Sequence, residues 1–536
     1  MNKKIIIGLV AAGVIIGGAV IATKSQQSTN EKVLRIATQN NISTLDPNYA
    51  DEIGANWAEA QTLEGLYTTG KNGEIVAGVA QKVVKPTENN TVYTLHLKEN
   101  AKWSDGTKVT AQDFVSSVQR QVDPKTKSTR ANHFKDIAGY DAVYNKHEAV
   151  NKLGIQAVNQ YTVRIQLSHP VPYFNFILAN QLYPINRAKV KEYGKKYGQT
   201  AATTVSNGAY TIKKWNQSST TWEFAKNKYY NDSKDVHYDT IKATQVTDTT
   251  LAAKQFQTKK VDEAAVSGSV LSDLKKTNAD DIKETAAGRV AFIVWNAQDK
   301  TVSNSNLKKA VSLAINRQTL ADEALGDGSK PAKSIIPSGE IKIAGKDLND
   351  GLSLPYNKTQ AQQYLKKAQS ELGQKKITIT LNTADTDSYK ALGVFLKQSI
   401  ESVLPDVTIN LNRLPLNAEI SAFNNHNFQA GTLSWSTDYD DPIDFLDIAY
   451  SKGAINFTNW KNDDYDKVYE QINRQNTAND ARYKLEREAA KINNEENGVT
   501  PLYQTSNVHL QSKSVKNLNY PLVGSVSYTH LTLPTN

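Results

Sequence analysis

The sequence predicts an α/β or mixed α+β protein of more than one domain, on three observations. Strand-like and helix-like patterns interleave along the chain; 536 residues exceed what one hydrophobic core organises; and the composition, 39% hydrophobic and 22% charged with no low-complexity tract or internal repeat, is that of a globular protein.

The elements follow in order. Residues 1–30 place Lys3 and Lys4 before an unbroken apolar run from Ile5 to Ala22, then a polar Ser/Gln/Thr/Asn stretch, which is the pattern of an export signal. The run also reaches bilayer-spanning length, so an uncleaved anchor stands beside cleavage before Thr23, and both put everything after Lys24 outside the membrane. In TVYTLHLKENAKW, Tyr93, Leu95 and Leu97 alternate with Thr94 and His96 as a half-buried strand does. Ser104 to Thr107, SDGT, supplies a turn, and Thr110 with Asp113 three residues on caps a helix whose Phe114, Val115 and Val118 share a face.

AFIVWNA, Ala291 to Ala297, has the length and β-branching of a buried strand. Leu307, Ala310, Val311, Ala314 and Ile315 repeat at helical spacing. KKITITLNTAD then alternates Ile377, Ile379 and Leu381 with threonines, a helix-like stretch runs from Tyr389 to Val403, and VTINLNRL gives another strand.

Several chemistries drop out. With no Cys there is no disulfide framework, thiolate nucleophile or Cys-rich metal site. The eight His form neither HExxH nor H-x-H, which disfavours a metal site and implies no cofactor. There is no G-x-S-x-G elbow, and GDGSK, Gly326 to Lys330, lacks the leading Gly and spacing of a phosphate cradle. The net charge of +9 is scattered among acids without a basic block, so it argues for a solvated surface rather than nucleic-acid binding. A hydrolase working by paired carboxylates finds no second acid spaced to match Asp438.

Taken together, the segments resemble the solute-binding proteins of peptide-importing ABC transporters, the oligopeptide- and dipeptide-binding family. The resemblance is carried by TLDPNYADEIGANWAEAQTLEGLYT, LHLKENAKWSDGTKVTAQDFVSSVQRQVDP, LSHPVPYFNFIL, SNGAYTIKKW with KNKYYND, LKKAVSLAINRQ, WSTDYDDPIDFL and TPLYQ, in that order over roughly nine-tenths of the chain. It implies a periplasmic-binding-protein-like two-lobed α/β fold (class II, cluster C) with an extra inserted domain. Lobe I is expected from 31–75, 203–288 and 499–524, the inserted domain from 76–202 and lobe III from 289–498. It also implies a monomeric, non-enzymatic receptor at the outer face of the membrane, held by its N-terminal segment. Such a receptor carries oligopeptides to separate permease and ATPase subunits, and a signalling-peptide receptor is the alternative.

The resemblance places a peptide's α-amino group against Asp438 in LSWSTDYDDP, and the physics agrees, because an ammonium taken out of water needs a carboxylate partner. Backbone groups of Ser434 and Ser436 are expected to hold the start of the peptide as an added strand. Trp435 reads either as a flat wall or as a core residue. Asp440 and Asp441 precede Pro442 and the helix-like IDFLDIAY, so capping explains them. For the peptide's carboxylate, SAFNNHNFQAGTL offers only His426.

Two features depart from the family. No lipid-accepting Cys ends the apolar segment. Residues Val526 to Thr535 resemble a translated transposase-adaptor end, so the authentic sequence is expected to stop near Gly524, with 525–536 a non-native tail.

Overall fold

The computed structural model describes residues 31–529 apart from 71, 72, 269, 340, 454, 476 and 519, so the expected signal or anchor lies outside the described residues. Among the described residues no helix is long and apolar enough to cross a membrane.

One mixed sheet runs through both lobes. Its strands lie in the order Val407–Leu414, Ile377–Ala384, Ala430–Ser436, Ile282–Trp295, Val499–Gln511, Glu263–Ala265, Val33–Thr38, Thr240–Gln245, Thr221–Lys226 and Tyr210–Lys213. AFIVWNA forms the end of the Ile282–Trp295 strand, buried from Val290 onward. Its continuous apolar run has a cause: Ala291, Ile293 and Trp295 face one core, while Val290, Phe292 and Val294 face another. Ile377, Ile379 and Leu381 join the first of these cores with Leu392, Leu396 and Ile400 of the Asp387–Val403 helix. The Ser305–Ala314 helix, capped by the Asn304 side chain accepting from the Leu307 N–H at 2.9 Å, adds Leu307, Ala310, Val311 and Ala314.

Two strands do the crossing between lobes. Ile282–Ala286 pairs with Ser506–Leu510, the register breaks between Ala286 and Val290, and pairing resumes through to Val294 opposite Val499. A second shift falls at Pro501, opposite Phe292; proline lacks the N–H a ladder needs and is tolerated in a central strand at such an irregularity. Residues 287–289 thus leave that ladder, and Gly288 bonds instead to other segments, its N–H donating to the Leu522 carbonyl and its carbonyl accepting from the Thr437 N–H, both at 2.9 Å.

A separate antiparallel sheet, Val92–His96, Thr162–Gln166 and Ile155–Asn159, packs with the Ala111–Val122 helix around Trp103, Phe114, Phe134 and Phe174. The predicted capping box is present: Asp113 Oδ2 accepts from the Thr110 N–H at 2.8 Å and from its hydroxyl at 3.0 Å. Elsewhere the pattern overran. IDFLDIAY is helical only over Ile443–Leu446, because the N–H groups of Ile448, Ala449 and Tyr450 bond three residues back, to Phe445, Leu446 and Asp447, as successive turns.

Residues 525–529 lie beside Gln61 and Glu263, the latter on an interior strand of the large sheet. Tyr528 is buried, donates from its hydroxyl to Glu263 Oε2 at 2.8 Å and from its N–H to Gln61 Oε1 at 2.9 Å.

The Ile53–Thr62 helix enters over a backbone: a Cβ at Gly54 would stand 1.8 Å from the Asn41 carbonyl oxygen. Gly54→Ala is expected to cost about 2–3 kcal/mol, because a main-chain atom cannot swing aside. Chemical denaturation checks this, and a midpoint equal to wild type contradicts it.

Candidate functional site

The Ala430–Ser436 strand pairs with Ile282–Trp295 along its length, Ala291 opposite Ser434 and Arg289 opposite Ser436. On its other side it meets Ile377–Ala384 only at Ala430 and Gly431. Beyond Gly431, among the described residues, that edge has no strand partner, which leaves backbone groups free to take another chain.

Where this strand ends, Thr437 to Asp441 loop over a cavity of about 90 Å³. Trp435, Asp438, Tyr439, Asp444 and Asp447 line it from the segment expected to form lobe III, and His133, Lys135, Asp136, Tyr173 and Gln181 from the segment expected to form the inserted domain. The rings of Tyr173 and Tyr439 stack across the gap, centroids 3.9 Å apart and 8° from parallel. Gln181 Nε2 donates to the Asp438 carbonyl at 3.4 Å.

Gln181 is itself held from behind. Arg130, buried, donates to Gln181 Oε1 at 2.6 Å and to Glu59 Oε2 at 2.7 Å, so a buried ion pair from the Ile53–Thr62 helix fixes the amide that meets lobe III.

The acids divide by what holds them. Asp444 Oδ2 accepts from the Asp438 N–H at 2.7 Å and from Trp435 Nε1 at 3.3 Å, which shapes the loop. Asp136 accepts from the Tyr173 hydroxyl at 3.3 Å and Asp447 from the Tyr469 hydroxyl at 2.8 Å. The Asp438 carboxyl has no hydrogen-bond or ion-pair partner among the described residues, and it faces the cavity.

Asp438 is exposed, yet it lines the cavity, whose walls, from residues 132–181 on one side and 435–455 on the other, replace much of the water around it. This desolvation pushes its carboxyl up to about 6, with Asp51 adding to the rise and Lys135 opposing it. Burial and the neighbouring Asp438 also raise Asp444, against the donors it accepts from. His133 is driven down to about 3, first by burial and then by Arg130, so it stays neutral and Lys135 is the lining cation. An arrangement that resists its own negative charge and lacks a partner for one carboxylate is suited to receive a cation.

The predicted residues therefore separate. Trp435 and Asp438 line one cavity, and Trp435 also packs against the lobe core. Ser434 and Ser436 lie on the half-open strand with their side chains engaged, Ser434 Oγ accepting from the Tyr389 hydroxyl at 3.0 Å and Ser436 Oγ from Arg289 Nε at 2.5 Å. Asp441 accepts from the Ile443 N–H at 3.0 Å, as a cap would, but its principal partner is Arg482, at 2.8 Å. His426 lies away from the cavity, its Nδ1 3.1 Å from the Phe457 carbonyl. Sequence reasoning missed Lys135, Gln181, Asp444 and Arg289. Only Asp444 had a local signal, being six residues from Asp438.

Two lobes joined by crossing strands, with a lined cleft between them, define the class of solute-binding proteins. The chain belongs to the bacterial extracellular solute-binding proteins, family 5, whose middle-region model matches residues 74–457. It is 28% identical to the oligopeptide-binding protein OppA of Bacillus subtilis, covering 94% of this chain and 93% of that one. It is 27% identical to the dipeptide-binding protein of Lactococcus lactis, covering 88% of each. Among solved structures it is similar to Listeria monocytogenes OppA bound to peptide, with TM-score 0.77, 30% identity and coverage of 95% and 100%. It is also similar to the pheromone receptor PrgZ, with TM-score 0.78, 28% identity and coverage of 94% and 100%.

Proposed function

We propose that this protein captures oligopeptides between its lobes outside the cell and delivers them to the permease and ATPase subunits of an ABC importer. One observation carries the site assignment: Asp438 is the cavity carboxylate without a partner. An α-ammonium supplies that partner, and the charge-assisted contact offsets the cost of drying both groups. The free edge beyond Gly431, including the main chain at Ser434 and Ser436, pairs with the peptide backbone, which keeps recognition tolerant of side chains. Trp435 walls the pocket. Arg289, on the neighbouring strand, meets the carboxylate end of a short peptide.

Lobe I comprises 31–75, 203–288 and 499–524, the inserted domain 76–202 and lobe III 289–498, with the break in the ladder at 287–289 serving as the hinge. The protein works as a monomer without chemistry of its own, at the cell surface through its N-terminal segment. Its likeness to PrgZ favours a second reading, a receptor for a signalling peptide with the same amine contact; a peptide-library screen separates broad from single-peptide recognition.

Calorimetry with one peptide in free and N-acetylated forms tests the reading. The acetylated form is expected to bind at least a hundredfold more weakly, and equal affinities would refute the amine contact.

A further inference from the structure

Away from the cleft, lobe III contains a second cavity, of about 330 Å³. Trp295, on its wall, pairs with Ala430, whereas Arg289 pairs with Ser436 at the other end of the same two strands. Six strand residues, roughly 20 Å, therefore separate it from the beginning of the Asp438 loop.

Lys308, on the Ser305–Ala314 helix, reaches this cavity while only 4% exposed. Its ammonium has no hydrogen-bond or ion-pair partner among the described residues; Glu496 and Lys461 also line the cavity, and the Glu496 carboxylate is engaged by Lys309 at 3.1 Å and the Ser305 hydroxyl at 3.4 Å. Across the cavity Asn459 Nδ2 is buried and likewise unpartnered. Trp295 and Trp460, 3% and 8% exposed, give the walls apolar area.

A lone buried ammonium is costly, and burial pulls Lys308 down to about 8 against the pull of Glu496, leaving it mostly charged at neutral pH. Two unmet donors beside apolar rings call for oxygen acceptors with negative charge. The N-terminus of the ten-residue helix adds a favourable field for an anion. The volume is at the small end of ligand pockets.

We propose that this cavity binds a small carboxylate with a flat or apolar body, its oxygens between Lys308 Nζ and Asn459 Nδ2 and its body against Trp295 and Trp460. The site is independent of the peptide cleft and of the function assigned to it.

Benzoate, with benzamide as its uncharged counterpart, is the probe, followed by calorimetry and ligand-observed NMR on the whole protein. Wild type is expected to bind one benzoate with a Kd of about 1 mM. Lys308→Met and Asn459→Asp should each weaken it at least tenfold, and benzamide should bind wild type at least tenfold more weakly. Lys308→Met removes an unpaired buried charge, so its thermal midpoint should not fall below wild type, which separates loss of ligand from loss of fold. Equal benzoate affinity in wild type and Lys308→Met overturns the proposal, as does no binding to wild type at about twenty times the expected Kd.

Discussion

Asp438→Ala is expected to weaken binding of a peptide with a free N-terminus by roughly 3–5 kcal/mol, since the ammonium is then withdrawn from water with no counter-charge. The same substitution should leave an N-acetylated peptide's weaker binding nearly unchanged, so the two perturbations are non-additive, as partners in one contact must be. A pH dependence follows. The free carboxyl sits at about 6 and the bound one lower, because the ammonium stabilises the charged form. Affinity is therefore full above pH 6 and falls as pH drops below it, by up to about tenfold per unit until the bound-state pKa is reached. Calorimetry between pH 4.5 and 7.5 reads this directly; a flat profile in wild type, or a full loss of acetyl-peptide binding in Asp438→Ala, contradicts the pairing.

The second large effect is structural. Arg482, with a side chain 2% exposed, holds Asp441 at 2.8 Å and Glu486 at 2.9 Å, and donates to the Ile472 carbonyl at 2.7 Å. Arg482→Leu is expected to cost about 3–5 kcal/mol, because it strands a buried carboxylate. Burial and Asp441 already raise Glu486, so the pair of acids accommodates one charge more readily than two. In the variant the Glu486 carboxyl loses the arginine that opposes its rise, so its folded-state pKa stays above its unfolded one. Stability is retained below the unfolded carboxyl range near pH 4 and lost as pH rises through the folded value. The deficit against wild type should thus be larger at pH 8 than at pH 4 in urea unfolding, and a pH-independent deficit would assign the loss to packing instead. Since Asp441 stands three residues from Asp438, peptide affinity should fall as well.

How much of this was legible follows from sequence distance. The capping box at Thr110 and Asp113 and the two-sided burial of AFIVWNA are local, and the sequence reading anticipated the elements they define. The helix after Pro442 is shorter than its pattern, because its chain continues in turns bonded three residues back. At the site, the family motif pointed to Asp438 and Trp435, but nothing local tells that Lys135, Tyr173 and Gln181 come to face them from more than 250 residues away. Arg289 reaches Ser436 only through strand pairing across 147 positions. Arg482 was equally silent: an arginine on an amphipathic helix reads as a surface residue until its buried acids are known.

The crossing strand Val499–Gln511 has a further consequence, for the order of events when the protein is made. It fills the middle of the large sheet, between Ile282–Trp295 and Glu263–Ala265, yet it comes after both of them in the chain. Until it arrives, the sheet has a gap at its centre, and neither lobe has its full set of strand neighbours. Pairings of such long sequence separation also form slowly. A chain built this way stays unlocked while it emerges, and both lobes become complete together, only once this strand pairs with its two neighbours.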